Sequence, residues 1–288
     1  MKNISCWAFR ALFPEATDSY TEMLNLKEIV TLRKRARDNI DTFPIHNQQQ
    51  WVQVLTNNVK DMASLPAIFD KFCRDNPERA NIYGVCINAC CPDPRVISAG
   101  EGAALVKRTK RLGDLIKTFL GEPNSHRFQI SCKILLGLNS KEMYYHKFLD
   151  FLIMLQSIDD VRLKPTVINF KHAKQTSKSK PHWELLETAL NAEKPIIVNG
   201  NIDNNQDFHN IIKELPLKSQ RKCNTLISGI MIGRGAIKNL NCFQSFLTSP
   251  HEKVNSKKAL IVDNLNKHPP HRRFYKNVKD FNPFLMKA

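Results

Sequence analysis

The sequence predicts an α/β fold: a TIM (β/α)8 barrel over residues 1–245, with its first strand missing or vestigial, followed by a short basic tail over 246–288, partly helical or disordered. Three observations carry that reading. Short apolar runs recur at intervals of roughly 30 residues, the length of a βα unit. Each run is followed by a stretch with helical spacing, the alternation that builds parallel sheets. Polar residues gather at the C-terminal ends of several different runs, and this favours a barrel over a doubly wound sheet, because barrels assemble their sites there.

Taken in order, the strand candidates are 19–23, 51–55, 82–87, 128–135, 166–170, 195–198 and 226–232. All are short and mostly apolar, as buried parallel strands are. Segments 61–72 and 183–192 have helical spacing and read as crossover helices. The stretch 174–180, with Ser and Thr among its lysines, reads as an open polar loop. No internal repeat or long low-complexity linker interrupts the series.

The 288 residues, 42% of them hydrophobic, can bury one large core. No run approaches the roughly 18 apolar residues of a membrane span. The N-terminus lacks an apolar stretch of secretory length, so a cytoplasmic, soluble protein is expected, and a monomer. Eight irregularly spaced cysteines argue for reduced thiols. Without a Cys-x-x-Cys or His-x-His clip, no metal is expected. The net charge of +16 calls for a polyanionic partner. Clusters at Arg33-Lys34-Arg35-Ala36-Arg37, Lys107-Arg108-Thr109-Lys110-Arg111 and His271-Arg272-Arg273 are each ordinary as a solvated face, and their sum favours nucleic acid.

The most informative phrase is Ile87-Asn88-Ala89-Cys90-Cys91-Pro92, at the end of one strand, leading into Gly100-Glu101-Gly102-Ala103-Ala104-Leu105. An Asn and a Cys three residues apart at a strand end can converge on a ligand, and the glycines let backbone N–H groups come close. By itself the phrase fits a packed turn with two structural thiols equally well. Gln53, an amide inside an apolar strand, needs a partner in the backbone or in a cofactor. Lys133, a cation in an apolar strand, calls for an anion or phosphate unless it snorkels from an edge. Asn199-Gly200 and Gly233-Arg234-Gly235 are common turn chemistry, placed where barrels often bind phosphate.

Together, in order, these residues resemble a tRNA-dihydrouridine synthase, in wording closest to an archaeal branch. The motifs are Ala8-Phe9-Arg10, Tyr20-Thr21-Glu22-Met23, Val52-Gln53-Val54, Asn88-Ala89-Cys90-Cys91-Pro92, Gly100 to Leu105, Lys133, Lys171-His172-Ala173-Lys174-Gln175, Asn199-Gly200 and Ile232-Gly233-Arg234-Gly235. Dihydroorotate dehydrogenase-like flavin barrels share the Asn-x-x-Cys-Pro phrase, but not the later glycine motifs. The resemblance implies FMN as cofactor, reduced by NADPH, and hydride transfer to C6 of a uridine in tRNA. It assigns Cys91 as the acid that protonates C5, and Asn88 to holding flavin and substrate. Gln53, Lys133, Asn199, Gly200, Gly233 and Arg234 carry over as FMN contacts, with Lys171 directing charge toward the phosphate. His172 is either a solvated loop residue or a contact to flavin or RNA.

The departures from the family pattern are specific. Cys90 replaces the glycine before the catalytic cysteine, Leu135 replaces the arginine of Lys-x-Arg, and Asn169 replaces the histidine of His-x-Arg. The chain begins at what resembles the final Met of the family's first apolar strand, so either the true start lies upstream of Met1 or Met1 to Ser5 makes a vestigial strand. Family members also carry a larger helical tRNA-binding domain after the barrel. Two functions stay open at this level, an FMN-dependent enzyme acting on tRNA and a non-catalytic RNA-binding protein on a degenerate flavin barrel.

Overall fold

Buried apolar strands satisfy their backbone only by pairing, and in this chain they pair in parallel and in chain order. The computed structural model describes residues 7–40, 44–45, 47–78 and 81–246. Its strands are β1 Asp18–Tyr20, β2 Leu24–Asn25, β3 Gln49–Leu55, β4 Gly84–Ala89, β5 Gln129–Leu135, β6 Thr166–Asn169, β7 Ile196–Asn199 and β8 Ile227–Met231. The order is β1-β3-β4-β5-β6-β7-β8, with β2 also pairing β3. Thus β1 and β2 are two pieces of one edge position, where the sequence predicts a single strand over 19–23. The break has a local cause: the Thr21 hydroxyl accepts the Gln53 N–H at 3.0 Å, so a side chain replaces a ladder bond.

The period of two along each strand separates two surfaces. Val52, Val54, Val85, Ile87, Ala89, Ile130, Cys132, Ile134, Ile168 and Val198 point outward into the main core. Helices cover them with apolar residues at spacings of three and four: Met62, Leu65 and Phe69 in helix Val59–Asp75, Leu112, Leu115, Ile116 and Phe119 in helix Thr109–Gly121, and Phe148, Phe151, Leu152 and Leu155 in helix Lys147–Gln156. Asn58 starts the first of these by accepting the Lys60 N–H at 2.9 Å. The intervening strand residues, Gln53, Asn88 and Lys133 among them, face the interior of the curl.

The sheet is curled, as a barrel requires. Lys133 on β5 reaches across to Met231 on β8, Nζ to Sδ at 3.2 Å. One cavity of about 390 Å³ is lined both by Asp18, Ser19 and Tyr20 of β1 and by Ser228, Gly229, Ile230 and Met231 of β8, so the two edges face each other. Among the described residues no strand pairs β8 with β1. Met1 to Ser5, the His271-Arg272-Arg273 cluster and all but the first residue of the 246–288 tail lie outside the described residues.

Packing spans the seam instead. Phe9, Leu12 and Phe13 share a cluster with Ala236, Ile237 and Cys242, which follow β8. The Phe13 and Phe243 rings meet edge-on at 5.4 Å. Below this, Tyr20 stacks on Trp51 at 5.9 Å and Tyr83 meets Trp51 at 5.1 Å. The Trp51 indole N–H donates to Asp18 at 2.6 Å, so the aromatic block at the N-terminal end of β1, β3 and β4 carries a satisfied polar group.

Gly84 opens β4, where a Cβ would run into the Gln129 carbonyl of β5. Gly84→Ala is expected to destabilise the fold by about 1–3 kcal/mol through this backbone clash, read as a lowered urea midpoint; an unchanged midpoint would refute the close approach.

Candidate active site

Asn88 is the hub of the strand-end site. Only 7% exposed, it uses both ends of its amide. Its Oδ1 accepts the N–H groups of Cys90 at 3.0 Å and Cys91 at 2.9 Å, while Nδ2 donates to Gln53 Oε1 at 2.9 Å. The Asn and Cys of the phrase are therefore neighbours with a mechanical relation: the amide holds the turn that carries the thiol. Asp93 then accepts the Arg95 N–H at 2.9 Å and starts the short helix Pro94–Ser98.

The glycines that follow serve this turn. Gly100 and Gly102 lie at φ +76° and +56°, and a Cβ on Gly102 would stand 2.8 Å from the Cys91 carbonyl oxygen. The Ala103 N–H donates to that carbonyl at 3.0 Å, and the Glu101 N–H is spent on Val96 at 3.0 Å. The backbone amides expected to approach a ligand thus approach Cys91 instead, and fix it from its other side.

The two adjacent thiols are inequivalent. Cys90 is buried with Ala103 and Leu135, and its sulfur accepts from Asn169 Nδ2 at 3.8 Å. Burial pushes the Cys90 thiol up, partly offset by Lys133, and pushes the deeper Cys86 up to about 12. Both are locked as thiols by desolvation, whereas Cys91 sits half-buried on the turn itself. The three departures noted in the sequence, Cys90, Leu135 and Asn169, prove to be one cluster. Leu135 is the register partner of Asn169 and packs with Cys90, so an apolar contact with a thiol–amide bond stands where the family pattern has charge.

Lys133 is the register partner of Asn88, and Asn199 that of Met231. Asn199 Nδ2 donates to the Met231 carbonyl at 2.7 Å, so Met231 receives both Asn199 and Lys133. Sequence reasoning passed over this methionine, because nothing in an apolar strand marks one thioether as an acceptor. Gly200 has φ +137°, and the space where a Gly233 Cβ would stand is open.

Lys171 and Arg234 both hold the loop that follows β6. Lys171, 6% exposed, donates through Nζ to the carbonyls of Thr176 at 3.4 Å and Ser177 at 3.1 Å, and to Asn201 Oδ1 at 3.0 Å. Arg234 also donates to Ser177, at 3.2 Å. Both cations strap the 174–180 loop over the ends of β6 to β8. Burial first, and Arg234 second, hold the Lys171 ammonium below its ordinary range. His172 lies in the same loop with its ring against that of His182, centroids 6.1 Å apart. Burial, His182 and Lys174 each lower its pKa.

The cavity at the seam takes in only part of the residues read as flavin contacts: Asn88, Asn199, Gly200 and Arg234 are not in its lining. Gln53, Lys133 and Gly233 line the 390 Å³ cavity, a volume within the range of cofactor sites. Arg234 is exposed beside the glycine turns of β7 and β8, where a phosphate needs cations and backbone N–H groups. Asn169 Oδ1 and His172 Nδ1 are buried and without a hydrogen-bond partner among the described residues, two polar atoms left over at the strand ends. Among those residues no group of three or more metal-ligating side chains occurs, and no helix is long and apolar enough to cross a membrane.

Fold and site define a parallel α/β barrel with a cysteine turn braced at one strand end and a glycine-rich pair of turns at two others. The chain belongs to the dihydrouridine synthase (Dus) family, whose model matches residues 1–156. It is 26% identical over 192 residues to the tRNA-dihydrouridine(20) synthase [NAD(P)+] of Schizosaccharomyces pombe, covering 64% of this chain and 36% of that protein. It is 21% identical to a probable tRNA-dihydrouridine synthase of Aquifex aeolicus, over 88% of this chain and 72% of the relative. A probable tRNA-dihydrouridine synthase of Staphylococcus aureus is 26% identical over 56% of this chain and 44% of its own length. The chain thus spans only about a third of the yeast protein and under half of the staphylococcal one. A solved structure of a variant of NCR from Zymomonas mobilis aligns over 96% of this chain and 85% of its own, with a TM-score of 0.43 and 12% identity.

Two outcomes follow from this geometry. Asn88→Ala removes the acceptor of two N–H groups and is expected to cost about 1–3 kcal/mol, while Asn88→Asp, which keeps that acceptor, costs less; equal urea midpoints for the two variants would refute the bracing role. His172 has a folded pKa below its ordinary 6.5, so the unfolded chain binds a proton the fold refuses, and stability falls as pH drops through 6.5 toward the folded value. Between about pH 7.5 and about pH 5 the wild type should lose more of its urea midpoint than His172→Gln, and parallel losses would exclude the effect.

Proposed function

We propose that this chain is an FMN-dependent tRNA-dihydrouridine synthase, which reduces the C5=C6 bond of uridine in tRNA at the expense of NADPH. Family membership supports the reaction class, and the observation that carries the residue assignment is the bracing of Cys91 by Asn88. When bound, FMN supplies the hydride that is added to C6, a reaction no side chain can perform. Cys91 donates the proton that C5 takes up, which leaves the C5=C6 bond reduced and the thiol to be reprotonated from solvent. Asn88 and the Ala103 amide hold the Cys91 backbone so that the sulfur meets a base entering the mouth. Lys133, Gln53 and Asn199 would hold the flavin, and Arg234 with the Gly200 and Gly233 amides would hold its phosphate. Lys171 contributes through the loop it straps, with His172 on that loop.

The target uridine is buried in folded tRNA and has to leave its stack to reach Cys91. The surplus of basic groups serves the grip on the RNA backbone, through exposed Arg33, Lys34 and Arg37 on one helix and Lys107, Arg108, Lys110 and Arg111 on another face. Within this reading the chain acts in the cytoplasm as a monomer, with residues 1–245 as the flavin-binding unit and 246–288 as a basic RNA-binding appendage.

Absorbance of the purified protein at the flavin bands, followed by assay of dihydrouridine in tRNA incubated with NADPH, tests the proposal. Colourless protein that still binds tRNA would replace it with the reading of a non-catalytic RNA-binding barrel. Cys91→Ala is expected to retain FMN and to lower dihydrouridine formation by about 10²–10⁴-fold; loss of flavin in that variant would show that the thiol has a different role.

A further inference from the structure

Tyr144 and Tyr145 are 66% and 69% exposed, two large aromatic rings in succession on the surface. They occupy the knuckle between helix Ser140–Tyr144 and helix Lys147–Gln156, where His146 takes a left-handed conformation at φ +51°. The knuckle is anchored on both sides, by Met143 at 1% exposure and Phe148 at 0%. It is also pinned from below: Glu142 accepts the Leu138 N–H at 2.9 Å and pairs with Lys107 at 2.7 Å, and Asn139 accepts the Glu142 N–H at 3.0 Å. Two tyrosines are thus held out to solvent on rigid backbone, next to buried residues of the same segment. Core packing does not account for them.

Their position gives them a use. The 3₁₀ helix Gly102–Lys107 begins against the Cys91 carbonyl, through Ala103, and ends at Lys107 on Glu142. Its six residues span about 12 Å, so the knuckle lies a short step along the barrel rim from the thiol turn. The neighbourhood is cationic. Lys141 and Lys147 flank the rings in sequence and are exposed, Lys107 joins them through Glu142, and Lys110 and Arg111 are exposed on helix Thr109–Gly121, while the Arg108 guanidinium lies against Gly100; with Lys107 and Lys147 matched by acids, the surplus rests on Lys141, Lys110 and Arg111. That helix packs on Lys147–Gln156 closely enough for Gly113 to abut Met154. Of the acids nearby, Glu142 is neutralised by Lys107 and Asp150 pairs with Lys147 at 3.1 Å. Rigid aromatic faces within a surplus of lysine and arginine match unpaired RNA, whose bases stack while the phosphates pair with the cations.

We propose that Tyr144 and Tyr145 form a stacking platform for unpaired bases of the RNA, beside the site where Cys91 meets the target uridine. The proposal rests on the reading of the chain as an RNA-directed enzyme, and it names the surface that holds the strand flanking the extruded nucleotide. A base that leaves its stack costs stacking energy, and a platform on the rim recovers part of it for the neighbours.

The test uses the full chain and two fluorescent RNAs, a single strand of about a dozen nucleotides and a hairpin duplex of similar composition. Tyr144→Ala/Tyr145→Ala is expected to weaken single-strand binding about tenfold while leaving the hairpin and the salt dependence unchanged. Tyr144→Phe/Tyr145→Phe, which keeps the rings, should bind as the wild type does. Lys141→Gln should instead lower the salt slope by about one. Equal single-strand affinity in wild type and the double Ala variant would overturn the platform, as would equal loss for both RNAs. Dihydrouridine assay of the wild type separates the two levels. If uridine is reduced but the Ala variant binds normally, the platform fails and the enzyme reading stands; ring-dependent binding without uridine reduction supports the platform and refutes the enzyme reading.

Discussion

The structure depends on the curling of a parallel sheet whose two edge strands have to be brought together without a ladder between them. Parallel strands carry unpaired N–H and C=O groups along any open edge, and a barrel normally removes both edges by joining them. In the described residues that joining is done by side chains. Phe9, Leu12 and Phe13 pack on Ile237, Cys242 and Phe243, while Lys133 and Met231 touch across the interior. Apolar contact holds β1 and β8 opposite each other, and the 390 Å³ cavity between them is the space that remains. Gln53 and Lys133 line that cavity, so the seam reaches the polar residues inside the curl.

The curl also determines what the strand ends can do. Polar side chains at the strand ends become partners of one another across the sheet: Asn88 of β4 with Gln53 of β3, Asn199 with its register partner Met231, and Asn169 of β6 with Cys90 just beyond β4. Each polar side chain inside the curl needs a partner, and the cost of leaving one bare is larger than the net value of one bond. The result is a set of side chains held in place before any ligand arrives. Asn88 is the clearest case, since the amide that orients Gln53 also fixes the turn bearing Cys91. The loop strapped by Lys171 and Arg234 completes the rim on the opposite side.

The cluster of Cys90, Leu135 and Asn169 shows how a charged corner can be replaced as a unit. Beside a thiol and a leucine, Asn169 finds a weak acceptor for its Nδ2 and an apolar neighbour, while its Oδ1 stays without a hydrogen-bond partner among the described residues. Burial then keeps the Cys90 thiol protonated, so the extra cysteine adds packing volume without a second reactive sulfur.

The sequence by itself determined the parallel α/β class, the approximate positions of seven strand runs and the order of the motifs along the rim. These are local quantities: apolar run length, helical spacing, and a Pro or Gly where the chain turns. It also marked Asn88, Cys91, Gln53 and Lys133, because a polar group in an apolar strand needs a partner. What it left open was which partner. That Asn88 turns its Nδ2 to Gln53, that Lys171 reaches Asn201, and that Met231 receives Lys133 and Asn199 are decided by residues 30 to 98 positions apart meeting in space, whereas the Asn88 bonds to the Cys90 and Cys91 N–H groups are local. The split of the first strand into β1 and β2 was hidden for the same reason, since a single Thr21 hydroxyl reaching Gln53 breaks the ladder. Period and composition report on one element at a time, whereas a barrel interior is made by register, and register exists only once the strands have paired.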